Sequence, residues 1–118
     1  MTQQEIAHYR QELSQQYPGA TIKVAPDQCE MVAEVNPRTA IAIIERSVPH
    51  FHRHTSEVYR VTKGVLHVSS GGLGHVLTEG DSLTIEPGLV HWARSAGTPA
   101  WVEVVSDPPW SEQDHFIL

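Results

Sequence analysis

Apolar residues recur at helical spacing at the start of the chain, where Ile6, Tyr9, Leu13 and Tyr17 lie three or four positions apart. Thr2-Gln3-Gln4-Glu5 before them has the form of a capping box, and Pro18-Gly19 stops the segment. The pattern predicts one amphipathic helix over about residues 2–17. From about 20 to 106 the pattern changes to short β-branched runs, "ATIKVA", "QCEMVAEV", "TAIAIIERS", "SEVYRVT", "GVLHVSS", "GHVLTEG", "SLTIEPG", "LVHWARS" and "AWVEVVS". Asn36-Pro37, Gly71-Gly72, Glu79-Gly80-Asp81 and Pro87-Gly88 supply the turns between them. Roughly nine strands with no helix among them predict an all-β fold, an antiparallel sandwich or barrel. The tail at 107–118, "DPPWSEQDHFIL", is expected to wrap the barrel as irregular chain or a short turn.

Composition narrows the class. The 118 residues support one core and therefore a single domain, 1–118. Hydrophobic residues at 40% and charged residues at 19% describe an ordinary globular chain and exclude a disordered one. A net charge of −6, with eight scattered Lys and Arg, argues against nucleic acid or an anionic membrane as partner and points to a small molecule. No apolar run approaches the ~20 residues of a membrane span. The first residues lack the form of a signal peptide, so a cytoplasmic location is expected. Cys29 is the one cysteine, so no disulfide forms within the chain.

The candidate chemistry lies in "PHFHRHTSEVYRVTKG", residues 49–64. In extended chain His50, His52 and His54 share a face, with Phe51 and Arg53 on the other. Taken alone, such a run is a solvated polar edge. Glu57 follows within reach, however, and His91 begins another strand just behind the Pro87-Gly88 turn. Three or four imidazoles and a carboxylate on neighbouring strands form the nitrogen and oxygen set preferred by Mn²⁺, Fe²⁺, Ni²⁺ or Zn²⁺.

These residues resemble the two motifs of the cupins. The first, Gly, five residues, His-x-His, three or four residues, Glu, six residues, Gly, is similar to His50-Phe51-His52, Glu57 and Gly64. The second, Gly, five residues, Pro-x-Gly, two residues, His, three residues, Asn, is similar to Gly80, Glu86-Pro87-Gly88, His91 and Ser95. Ile44, Glu86 and Ser95 stand where the motifs have Gly, Pro and Asn, and none of these is a ligand position. The resemblance spans about residues 40–106. It implies a double-stranded β-helix, a jelly-roll barrel, holding one divalent metal ion on His50, His52, Glu57 and His91. His52-x-His54 is the alternative histidine pair; otherwise His54 sits beside the site or at its rim. It also suggests a homodimer in which strands at 20–35 pack on or exchange with the partner's barrel.

Strand parity extends the site. An inward Glu57 brings Tyr59 and Val61 inward and leaves Val58 and Arg60 outside, which makes the Tyr59 phenol a candidate hydrogen-bond or proton donor. Counting back from His50 reaches Val48, Arg46 and Ile44, so an inward Arg46 would anchor a carboxylate or phosphate. Small residues at Ala93 and Ser95, on the face of His91, leave room beside the metal. His8, His67, His75 and His115 are expected at the surface or in ordinary pairs, and Trp101 and Trp110 in the core or a dimer seam. A minority reading has the "DPPW" tail as a lid, with Asp107 or Asp114 reaching the pocket.

Four ligands leave open positions on an octahedral ion, which suits a working metal. The leading expectation is an enzyme that isomerises, or cleaves with dioxygen, a small oxygen-rich molecule such as a sugar, keto or hydroxy acid, or enediol. The alternative is a non-catalytic module that captures such a molecule, and a third reading is a barrel merely stabilised by zinc.

Overall fold

The computed structural model describes residues 1–118. It opens with α1 (Gln3–Gln16), capped by Thr2, whose hydroxyl accepts the Glu5 N–H while the Glu5 carboxylate accepts that of Thr2. Eleven strands follow: β1 (Thr21–Val24), β2 (Glu30–Asn36), β3 (Thr39–Ile44), β4 (His50–Phe51), β5 (Ser56–Lys63), β6 (Leu66–Ser70), β7 (Leu73–Leu77), β8 (Ser82–Ile85), β9 (His91–Ser95), β10 (Ala100–Asp107) and β11 (Phe116–Ile117). They form two antiparallel sheets, β1-β2-β3-β10-β5-β8 and β11-β4-β9-β6-β7, the jelly-roll arrangement expected.

Two strands exceed the sequence expectation. β4 and β11 are two residues long and pair with each other, Phe116 opposite Phe51 and Ile117 opposite His50. Hydrophobic alternation cannot reveal a strand that short. Their pairing, with the Phe51 and Phe116 rings stacked at 5.1 Å, turns the end of the tail into an edge strand of the second sheet. A 3₁₀ turn at Glu112–Asp114 precedes it.

Buried residues fall into two clusters, one on each face of the larger sheet. On the outer face, Ile6 and Leu13 of α1 pack against Met31, Ala33, Ile41, Ile43 and Trp101, with Tyr9 set edge-on to Trp101 at 6.2 Å. Between the sheets lie Ala42, Ile44, Tyr59, Val61, Leu66, Val68, Ile85, Ala93 and Val102. β3 contributes to both, which is why its run Ala40–Ile44 is apolar throughout and does not alternate. The inner core fills only one end of the barrel. At the other end the inner face of β2 carries Glu30, Val32 and Glu34, and the space is left open.

Because α1 covers the outer face, truncating its anchor should be felt in full. Leu13→Ala is expected to lower the free energy of unfolding by about 3 kcal/mol, and Thr2→Ala by about 1 kcal/mol, in urea titrations followed by circular dichroism.

Candidate metal centre

His50, His52, Glu57 and His91 come together at the open end of the barrel, all buried, with one ligand atom from each within 4.8 Å of the others. Local structure accounts for each position. His50 on β4 lies directly opposite His91 at the start of β9. Glu57 enters β5 facing inward, between Ile85 of β8 and Ser106 of β10. Parity along β5 and β9 runs as expected, with Tyr59, Val61 and Ala93 buried and Arg60, Trp92 and Arg94 exposed.

His52 lies beyond β4, where the chain turns, and that turn is built by the tail. The Asp114 carboxylate accepts the backbone N–H groups of Arg53, His54 and Thr55 at 2.7, 3.0 and 3.1 Å. Burial pushes this carboxyl up, but the three donors outweigh it and leave it below its ordinary value. The Gly88 N–H, in a turn where φ is +84°, donates to the His52 carbonyl at 2.6 Å and ties the Pro87-Gly88 corner to the same loop. The turn points His54 to solvent, so His54 does not join the cluster, and the alternative pair His52 and His54 is not the one assembled.

Each imidazole of the cluster is oriented by a main-chain carbonyl. His50 Nδ1 meets Val48 O at 2.7 Å, His91 Nδ1 meets Leu89 O at 2.9 Å, and His52 Nδ1 meets Asp114 O at 2.7 Å. A carbonyl only accepts, so each Nδ1 carries the hydrogen, and each Nε2 presents a lone pair when its ring is neutral. His52 Nε2 and His91 Nε2 lie 3.1 and 3.3 Å from Glu57 Oε1, yet all three atoms are buried without a hydrogen bond of proper geometry. Buried polar atoms that converge and remain unsatisfied are what a cation would resolve. The donor set, three neutral imidazoles and a carboxylate, fits a divalent metal ion.

The electrostatics are those of a cluster poised for positive charge. Burial pushes the Glu57 carboxyl up, but His52 and His91 prevail and hold it at about 2. Burial and then His91 bring His50 down to about 4. Burial depresses His52, but Glu57 outweighs it and leaves His52 raised.

Beside the cluster opens a cavity of about 570 Å³, walled by His50, His52, Glu57 and Tyr59 and by residues from β1, β2, β3, β10 and the tail. Tyr59 faces it as expected; burial, then Glu57 and Glu30, push its phenol well above the ordinary value. Arg46 does not face it. The chain leaves β3 at Ile44, passes Arg46 as an isolated bridge to Arg94, and leaves its side chain 65% exposed, 3.9 Å from Asp27. The count back from His50 holds for Val48, which lines the cavity, and for Ile44, in the inner core, but Arg46, between Ile44 and the irregular 47–49 segment with Pro49, turns outward. No anchoring arginine enters from that side.

The tail covers part of the mouth with Pro109 and Trp110 of "DPPW", as the lid reading has it, but neither Asp107 nor Asp114 reaches the pocket. Trp110 lines the cavity, 5.6 Å from the His115 ring and 5.5 Å from Lys23 Nζ. Asp107 pairs with Arg38 at the surface, and the Asp114 carboxylate serves the loop, not the pocket. Two cavity residues carry no signature in the sequence. His115 packs 4.8 Å from the His50 ring and 5.3 Å from that of His52, its Nδ1 buried without a partner. Burial, then His52, lower its pKa. Glu30 faces the cavity from β2, and burial, then Glu57 and Asp27, push its carboxyl up to about 7.

Comparison with known proteins places this geometry. The family profile described as cupin domain matches residues 32–105. No curated protein sequence matches the chain. Among solved structures, a variant of Streptomyces Pac13 with uridine superposes with a TM-score of 0.72, at 16% identity over 86% of each chain. Pac13 is described as a nucleoside dehydratase. KdgF from Halomonas sp. superposes with a TM-score of 0.66, at 15% identity over 79% of this chain and 89% of its own. An RmlC-like cupin from Shewanella frigidimarina NCIMB 400 does so with 0.61, at 25% identity over 80% and 88%. These likenesses speak for a shared fold.

Two outcomes follow for the protein stripped of metal. His50 is neutral when folded but binds a proton when unfolded between its ordinary 6.5 and about 4. Its contribution is therefore complete above about pH 6.5 and lost as pH falls toward 4, at most about 3 kcal/mol in all. Thermal unfolding should show this acid slope, and His50→Ala should flatten it. Asp114→Ala should free the amides of Arg53, His54 and Thr55, seen as faster hydrogen exchange at those three positions and a stability loss of about 3 kcal/mol.

Proposed function

The chain belongs to the cupin domain family, and on that premise we propose that it is a divalent-metal enzyme acting on a small, oxygen-rich molecule by proton transfer. The observation that carries this reading is the convergence of three oriented imidazoles and one carboxylate beside a 570 Å³ cavity, with His52 Nε2, His91 Nε2 and Glu57 Oε1 buried and unsatisfied. His50, His52, Glu57 and His91 would hold the ion. Bound there, a Mn²⁺, Fe²⁺, Ni²⁺ or Zn²⁺ ion supplies a Lewis acid that polarises a substrate oxygen.

The protein's own groups favour isomerisation or epimerisation over cleavage with dioxygen. Tyr59 lines the cavity and offers an O–H to a substrate oxygen. Trp110 and His115 offer flat ring faces over which a sugar ring can lie. The cavity is large enough for such a molecule and is partly closed from water by the tail. The Streptomyces relative with uridine, a ligand bearing a sugar, supports this size and class.

Elemental analysis of untagged protein should find one divalent metal per chain, lost in both His50→Ala and His91→Ala. The stripped wild type should remain folded by circular dichroism, since two hydrophobic clusters hold the barrel independently of the site. Wild type that takes up no metal even on reconstitution would sink the reading; unfolding on removal would leave a structural zinc in its place.

A further inference from the structure

β2 turns two carboxylates toward the cavity, and they have opposite surroundings. Glu34 is paired with Lys23 at 2.8 Å. Glu30 has no cationic partner. Across the sheet it faces Ile44 of β3, with Ala42 and Val32 beside it, and Glu57 and Tyr59 face the same space from β5. From the β1–β2 turn comes Asp27, which takes the Cys29 N–H at 3.0 Å and stands 3.9 Å from Arg46. Partial burial, and then the negative charges of Glu57 and Asp27, disfavour ionisation of this half-buried carboxyl. A carboxylate in the cavity wall with no cation to hold it ionised is free to take up and give back a proton, which general acid–base catalysis requires.

We propose that Glu30 is the proton-transfer residue of this cavity, acting on an uncharged hydroxy-carbonyl compound, of sugar type, held at the four-residue cluster. The proposal rests on the metal reading above. The substrate class follows from the cations at the cavity: Lys23 and Arg38 are already paired with Glu34 and Asp107, and no other lysine or arginine lines it to receive a carboxylate or phosphate. As carboxylate, Glu30 takes the proton from the carbon that bears the hydroxyl. The C–H electron pair becomes a C=C bond, and the carbonyl π pair moves to its oxygen, which gains the proton of the neighbouring hydroxyl. Glu30 then returns its proton to the former carbonyl carbon, and the hydroxyl oxygen left without a proton becomes the new carbonyl. Atoms and charge balance, and no oxidant or reductant is needed.

Two measurements test this. The Glu30 side-chain carboxyl, assigned by its absence in Glu30→Gln, is titrated by ¹³C NMR in stripped and zinc-loaded protein. It should titrate near 7 in the stripped form and lower with zinc, because a divalent charge across the cavity favours the carboxylate. Deuterium uptake from D₂O into the carbon-bound positions of dihydroxyacetone is then followed by mass spectrometry with metal-loaded protein. Wild type should exchange, and Glu30→Gln should be slowed about 100-fold or more while keeping its metal. Glu30 titrating in the ordinary glutamate range in both forms, no exchange by loaded wild type, or exchange that survives Glu30→Gln overturns the assignment of Glu30 alone. Absence of metal from the wild type overturns the metal reading and this step with it.

Discussion

The site depends on three hydrogen bonds from imidazole Nδ1 to main-chain carbonyls. Without them each ring could flip or change tautomer, and the Nε2 atoms would have no reason to converge. For His50 and His91 the acceptor is the carbonyl two residues upstream, so the orientation is written into the local chain. For His52 it is the carbonyl of Asp114, 62 positions away, so the third ring is held only when the tail has docked. Asp114 secures that docking with its carboxylate on the loop 53–55, and the pairing of β11 with β4 extends it. One residue thus joins the end of the chain to the ligand loop through both its main chain and its side chain.

A cluster of buried, unsatisfied polar atoms is costly, and the barrel accommodates it by separating stability from function. α1 lies on the outside of the larger sheet, where Leu13 and Trp101 give it a second hydrophobic cluster. The inner face is thereby relieved of filling the whole barrel, and apolar side chains crowd one end while the other stays open. β2 shows the division within a single strand: Met31 and Ala33 face the helix, and Glu30, Val32 and Glu34 face the cavity.

Neighbouring charges set the two inner glutamates apart. Glu57 lies against two imidazoles, which overcome its burial and keep it ionised. Glu30, half-buried opposite Ile44, is reached by the negative charges of Glu57 and Asp27, which add to its partial burial and push its carboxyl up. The same side chain in the same cavity is a permanent anion in one place and a proton carrier in the other.

Alternation along single strands and the spacing of turns were enough to make the β class, the capped helix and the inward faces of β5 and β9 legible in the sequence, and the resemblance to the cupin motifs picked His50, His52, Glu57 and His91 out of the candidate histidines and carboxylates. Within one extended segment, the side on which a residue lies depends on counting by two. Counting failed where the chain ceased to be extended: Arg46, beside the irregular 47–49 segment, turned outward, and the turn capped by Asp114 sent His54 to solvent. It was also silent on contacts between distant segments, so Glu30 and His115 were left unmarked as cavity residues, and the role of Asp114 on the ligand loop went unread, its one mention being the minority reading in which Asp107 or Asp114 reaches the pocket. The sequence by itself determined which residues could share a face. Only the tertiary structure decided which faces enclose the cavity and which charges meet there, because periodicity carries no information about what packs opposite a strand.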